Sequence, residues 1–197
     1  MIIAAVTNSN SGVTNKTHAA IAGEKIIQSG SSTWIEQFRE FRDAVYKHDK
    51  GKVRTFVDFP IMNDNNEIWY LVYGGDEKAI NMLSKKIKPF TEKDFDLYFD
   101  KLFSNDFINA ILKIKTAELY TNGETETIKF HKGKATTYQI DATFDKPDNT
   151  LSLNLSSKTI IKDKDGETED GGESSTIYMF KISPQGKLKF IQVRLAG

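Results

Sequence analysis

Between positions 137 and 156 the chain alternates polar and apolar residues with a single interruption. Thr137-Tyr138-Gln139-Ile140-Asp141-Ala142-Thr143-Phe144 is followed by the turn residues Asp145-Lys146-Pro147-Asp148-Asn149, and the alternation resumes as Leu151-Ser152-Leu153-Asn154-Leu155-Ser156. Successive strand side chains point to opposite faces of a sheet, so a period of two demands one buried face and one wet face. Tyr138, Ile140, Ala142 and Phe144 form the buried set of the first run, Leu151, Leu153 and Leu155 that of the second, and Asp141 falls on the wet side. A further hairpin pairs 175–182 with 187–195 through Ser183-Pro184-Gln185-Gly186. Both of its strands are apolar on more than one face, so the pattern leaves their facing open. A sheet with one apolar face must be covered, and the covering helices have to come from upstream.

Upstream, Thr33 and Glu36 make a capping box ahead of an apolar stripe at Trp34, Phe38, Phe41 and Val45, which predicts a helix ending near His48 to Lys50 with Gly51 as its left-handed cap. Val53, Phe56 and Val57 predict a second short helix, stopped by Pro60. After the turn cluster 63–66, Ile68-Trp69-Tyr70-Leu71-Val72-Tyr73 is β-branched and aromatic and reads as a strand ended by Gly74-Gly75. Ile80, Leu83 and Ile87 predict a helix over 76–87. Thr91 with Asp94 opens another, carrying Phe95, Tyr98, Phe99, Leu102 and Phe103, and Ser104-Asn105 caps a continuation through Phe107, Ile108, Ile111 and Leu112. From Thr116 the period becomes two, and Asn122-Gly123 predicts a hairpin between 118–120 and 127–130. The sum is an α+β chain: N-terminal helices packed on a bent antiparallel sheet of four to six strands, in a single domain over 33–197 behind a flexible segment 1–32.

Charge excludes some functions. Lys+Arg and Asp+Glu are 27 each, so nothing global attracts nucleic acid or an anionic membrane. Cysteine is absent, which removes disulfides, thiolate metal sites and a cysteine nucleophile. His18, His48 and His131 lack ligand spacing, and no apolar run reaches the ~20 residues of a membrane span. Residues 1–6 read either as the stump of a trimmed signal ahead of a polar spacer or as a cytosolic start. The Ser-, Thr-, Asn- and Gly-rich stretch 7–32 favours the former, hence a periplasmic or secreted protein.

The capped helix with Phe38-x-x-Phe41-x-x-x-Val45, then Val53-x-x-Phe56-Val57-x-Phe59-Pro60, followed by helices and long antiparallel strands, resembles the opening and element order of the nuclear transport factor 2-like (cystatin-like α+β) superfamily. It is similar to uncharacterised members secreted by Bacteroidetes bacteria. The stretch 74–89 is longer than the family's usual arrangement. The resemblance implies a cone-shaped sheet around the first helix, with ligands, where they bind, taken in the mouth of the cone.

Trp69, Tyr70, Tyr138, Tyr178 and Phe180 are the aromatic residues available to line such a mouth. No carboxylate or histidine is expected to point inward among them, which favours a non-catalytic binding or protein-interaction domain for a protein partner or a small apolar ligand, without cofactor or metal. The alternative is an isomerase- or dehydratase-like enzyme with Tyr138 or Tyr178 as oxyanion donor and Asp94 or Asp96 as base. Ile177, Met179 and Ile191, with Leu188, are the apolar residues available for a homodimer interface on the outer sheet face. The acidic tract 163–170 has its glycine one ligand too early for a calcium loop and reads as a solvated hairpin tip. His48 at a helix C-terminus, His131, and the lysines 181, 187 and 189 with Arg194 read as solvated surface.

Overall fold

The computed structural model describes residues 33–83, 86–133, 135–162 and 168–197. The N-terminal segment and most of the acidic tract therefore lie outside the described residues. Among the described residues, seven α-helices precede and cover a six-stranded, wholly antiparallel, curled sheet. This is the α+β architecture expected from the pattern.

Helix α1 (Trp34–Tyr46) starts at the predicted box, where the Thr33 amide donates to the Glu36 carboxylate at 2.8 Å. That hydrogen bond holds the Glu36 carboxyl below its usual range. Ile35, Phe38, Phe41, Ala44 and Val45 are buried, while Trp34 stays at the margin against Phe144, ring centroids 4.7 Å apart. The left-handed residue that turns the chain is His48, not Gly51, which lies inside α2 (Lys50–Arg54). The His48 ring meets Asp100 at 3.1 Å, at the surface.

Two expected strands are helices. Residues 68–73 belong to α3 (Glu67–Tyr73), with Ile68, Trp69 and Val72 buried at helical spacing. Asn66 turns left-handed to start it, and its side chain clamps the returning segment, accepting from the Lys88 amide at 2.7 Å and donating to the Lys86 carbonyl. Residues 116–122 form α7 (Thr116–Asn122), and Gly123 is its left-handed cap rather than a hairpin residue. Both hairpins and helix ends need a residue at positive φ, so Asn-Gly alone does not separate them. Of the helix expected over 76–87 only α4 (Glu77–Asn81) is present among the described residues. Helices α5 (Glu92–Leu102) and α6 (Asn105–Ile111) start at the predicted caps Thr91 and Ser104.

Strands β1 (Glu124–Glu126) and β2 (Phe130–Lys132) both pair with β3 (Thr136–Asp145). Between them Thr127 is buried and its hydroxyl accepts from the Ile140 amide at 2.9 Å. The sheet continues through β4 (Thr150–Lys162), β5 (Thr168–Ile182) and β6 (Leu188–Ala196). The interior between sheet and helices is filled by rings: Phe41, Phe103, Phe107, Tyr178, Phe180 and Phe190 are buried and touch, with Phe107 and Tyr178 only 4.1 Å apart.

The outer edge of β6 is closed by upstream groups. The Leu188 amide donates to Gln37 at 3.1 Å, Phe190 to the Phe56 carbonyl at 2.6 Å, Val193 to Asn63 at 2.8 Å and Leu195 to Glu67 at 3.1 Å. An open edge is a template for a further strand. Here its donors are spent.

Candidate functional site

The register settles the facing that the pattern left open. On β5, Tyr178, Phe180 and Ile182 point into the core, while Ile177 and Met179 lie half-buried on the outer face. A bulge opposes Phe180 to Phe190 and Met179 to Gln192, leaving Ile191 between them, also half-buried. The bulge moves the inward positions of β6 from Leu188 and Phe190 to Val193. Leu188 is thus a core residue and not part of an outer surface. Asp141, Asn154, Ile177 and Arg194 form one row across the outer face, acidic at one end and basic at the other.

The five aromatic pocket candidates do not converge. Phe180 is wholly buried between Phe41 and Phe190. Tyr178 is buried and its hydroxyl donates to the Leu102 carbonyl at 3.0 Å; burial pushes its phenol well above the usual range. A phenol so placed is a structural strut. Trp69 is buried beside Phe90 and Tyr98 and donates its indole hydrogen to the Lys88 carbonyl at 2.8 Å. Tyr70 on the same helix is 39% exposed. Tyr138 lies at the end of β3, stacked on Phe130.

Asp94 and Asp96 are also engaged elsewhere, Asp94 in the α5 capping box and Asp96 with Arg54. Of the two tyrosines considered as oxyanion donors, the one that a carboxylate approaches is Tyr138, beside Asp106. Burial first, then the Asp106 charge and hydrogen bond, raise the Tyr138 phenol, with Lys132 opposing them. Lys132 Nζ also holds Asp106 at 2.7 Å. That ion pair engages the Asp106 carboxylate with a cation. Sequence spacing gave no sign of the Tyr138–Asp106 approach, because 32 positions separate partners that only β3 and α6 bring together.

Of the depressions that contain charge, two bear on a site. One of about 400 Å³ gathers Glu118, Glu124, Glu126 and Asp141. Partial burial and the facing Glu126 raise the Asp141 carboxyl. Among the described residues no cluster of three or more carboxylates and histidines is arranged to hold a metal ion, and no helix is long and apolar enough to cross a membrane. The other, larger depression is an open cleft of about 1050 Å³ among α3, α4 and α5, walled by Tyr73, Lys88, Tyr98 and Lys101.

No family model and no curated protein matches the chain. Among solved structures it is similar to a candidate ketosteroid isomerase from Shewanella frigidimarina, at 10% identity over 85% of this chain and 98% of that one, TM-score 0.28. It is also similar to the association domain of C. elegans CaMKII, at 10% identity over 83% and 92%, TM-score 0.30. TM-scores this low establish neither a shared activity nor a shared assembly.

Proposed function

We propose that the chain is a non-catalytic interaction domain of the nuclear transport factor 2-like kind, working outside the cytoplasm through the outer face of its sheet, with a second copy of itself as the first partner. The observation that carries this reading is the filled interior. An enzyme built in the mouth of the cone needs a wet chamber with a free acid or base. Here that space holds Phe103, Phe107, Tyr178, Phe180 and Phe190, and its one phenol is bound to a backbone carbonyl.

The outer face offers what an isologous interface uses. Ile177, Met179 and Ile191 supply apolar area, and the row from Asp141 to Arg194 brings opposite charges together when a copy is rotated by two-fold symmetry. Sedimentation equilibrium tests this. Dimer is expected for the parent, with Met179→Asp shifting it to monomer while the melting curve stays cooperative. A parent that sediments as monomer at high concentration removes the reading.

The enzyme alternative draws on Tyr138 and Asp106. It requires Asp106 to release Lys132 before it accepts a proton. Its measurable consequence is a Lys132→Met variant with raised turnover on an enolisable ketone, against none in Tyr138→Phe.

A further inference from the structure

The large cleft among α3, α4 and α5 includes no strand residue, so it stands apart from the sheet-face reading. Its polar wall is mainly cationic and phenolic, with Lys86, Lys88 and Lys101 against the single carboxylate Asp76 among the lining residues. Lys88 Nζ sits 3.5 Å from the centroid of the Trp69 ring and 3.3 Å from the Tyr73 hydroxyl, and no carboxylate of the described residues lies within ion-pair distance of it. Lys101 on the facing helix α5 has no ion pair among the described residues either. Two carboxylates are also near: Asp76 lines the cleft and accepts from the Ala79 amide, and Asp94 accepts from the Thr91 amide, so each is held at the start of its own helix.

The Tyr98 ring meets the Tyr73 ring edge-on at 5.8 Å, and burial first, then Tyr73 and the charges of Asp94 and Asp76, raise its phenol. Tyr73 takes a hydrogen bond from Lys88 while a phenolic hydrogen remains for an incoming acceptor. The opposite rim is apolar and open to water, with Met82 78% and Ile87 46% exposed and Leu83 beside them.

We infer that this cleft binds a small amphiphilic anion, a carboxylate carried on an apolar body, with its head group against Lys88, Lys101 and Tyr73 and its body over Met82, Leu83 and Ile87. A cation resting on an aromatic face without a carboxylate keeps most of its charge for a ligand. An ion that is polar throughout, such as inorganic phosphate, leaves the apolar rim uncovered and gains nothing from it.

Titration calorimetry with laurate below its micellar concentration tests the site on the full chain. Saturable one-to-one binding is expected, at least about tenfold weaker in Lys88→Met and in Lys101→Met, the loss expected for one charge-assisted hydrogen bond. Dodecanol, with the same body and no charge, is expected to bind at least about tenfold more weakly than laurate, by the same arithmetic. Lys101→Met guards against misfolding of the Lys88 variant, because Lys101 has no described structural partner. Absence of saturable laurate binding, equal affinity for dodecanol, or unchanged affinity in both folded variants overturns the proposal. So does inorganic phosphate binding as tightly as laurate.

Discussion

Asn63 offers the sharpest test of how the helical half is fastened to the sheet. Its side chain is buried, accepting from the Val193 amide at 2.8 Å and donating to Glu67 at 3.1 Å, and Glu67 in turn accepts from the Leu195 amide. In Asn63→Ala the Val193 N–H, on a buried residue, loses its acceptor while Glu67 loses one of its two donors. A buried donor left unmade costs ~1–3 kcal/mol, so a loss of about 2 kcal/mol is expected, which for a domain of this size lowers Tm by ~4–8 °C. Asn63→Asp separates the two contributions. It keeps the acceptor for Val193 but sets a second carboxylate beside Glu67, so the Val193 amide should stay protected while stability falls as pH rises through the carboxylate range. Calorimetric melting and amide exchange at Val193 read both effects. An Asn63→Ala protein that melts within about 2 °C of the parent, the scale of an ordinary surface substitution, would falsify the claim that this side chain closes the edge of β6.

Other outcomes follow from the same structure. Phe103→Ala removes the ring that meets Phe41, Phe99, Phe107 and Tyr178, and should cost ~3–5 kcal/mol in urea unfolding. Tyr178→Phe should cost only ~1 kcal/mol, because it deletes one hydrogen bond to the Leu102 carbonyl and keeps the ring. The raised phenol of Tyr178 predicts alkaline instability: the contribution is complete below the unfolded value of 10.0 and declines as pH rises above it, where only the unfolded chain loses the proton. Tyr178→Phe should flatten that alkaline loss in a stability-against-pH series. Glu36 has the opposite sign. Its carboxyl is lowered, so its contribution is present above the unfolded value of 4.5 and disappears as pH falls through the folded one, and Glu36→Gln should weaken the acid limb of the same series.

Elements whose information is local were legible in the sequence. The capping residues Thr33, Thr91 and Ser104 each start a helix where a short side chain can satisfy orphan amides three positions on, whatever packs around it. The alternation in β3 and β4 foretold the burial of Ile140, Ala142, Leu151, Leu153 and Leu155, because a period of two leaves one register that hides every apolar residue.

Residues 68–73 and 116–122 went the other way. A short apolar run fits a buried strand or a buried helix equally, and position decided between them: Asn63 and Glu67 had to meet β6, and Leu119 had to reach the core. The candidate sites were the least legible part. Aromatic composition says that rings will be buried and does not say which one will border water. Trp69 was singled out among strand residues, and its significance emerged only when Lys88, 19 positions on, folded back over its ring. Tyr178 and Phe180 share with Ile177 and Met179 one apolar stretch in which every residue is a plausible interior residue. The pairing of β5 between two neighbours, and the bulge opposite it in β6, sent one set into the core and left the other on the open face. That choice depends on partners far away in the chain, so the sequence determined that a covered sheet would form, and the tertiary structure determined which of its faces stayed exposed.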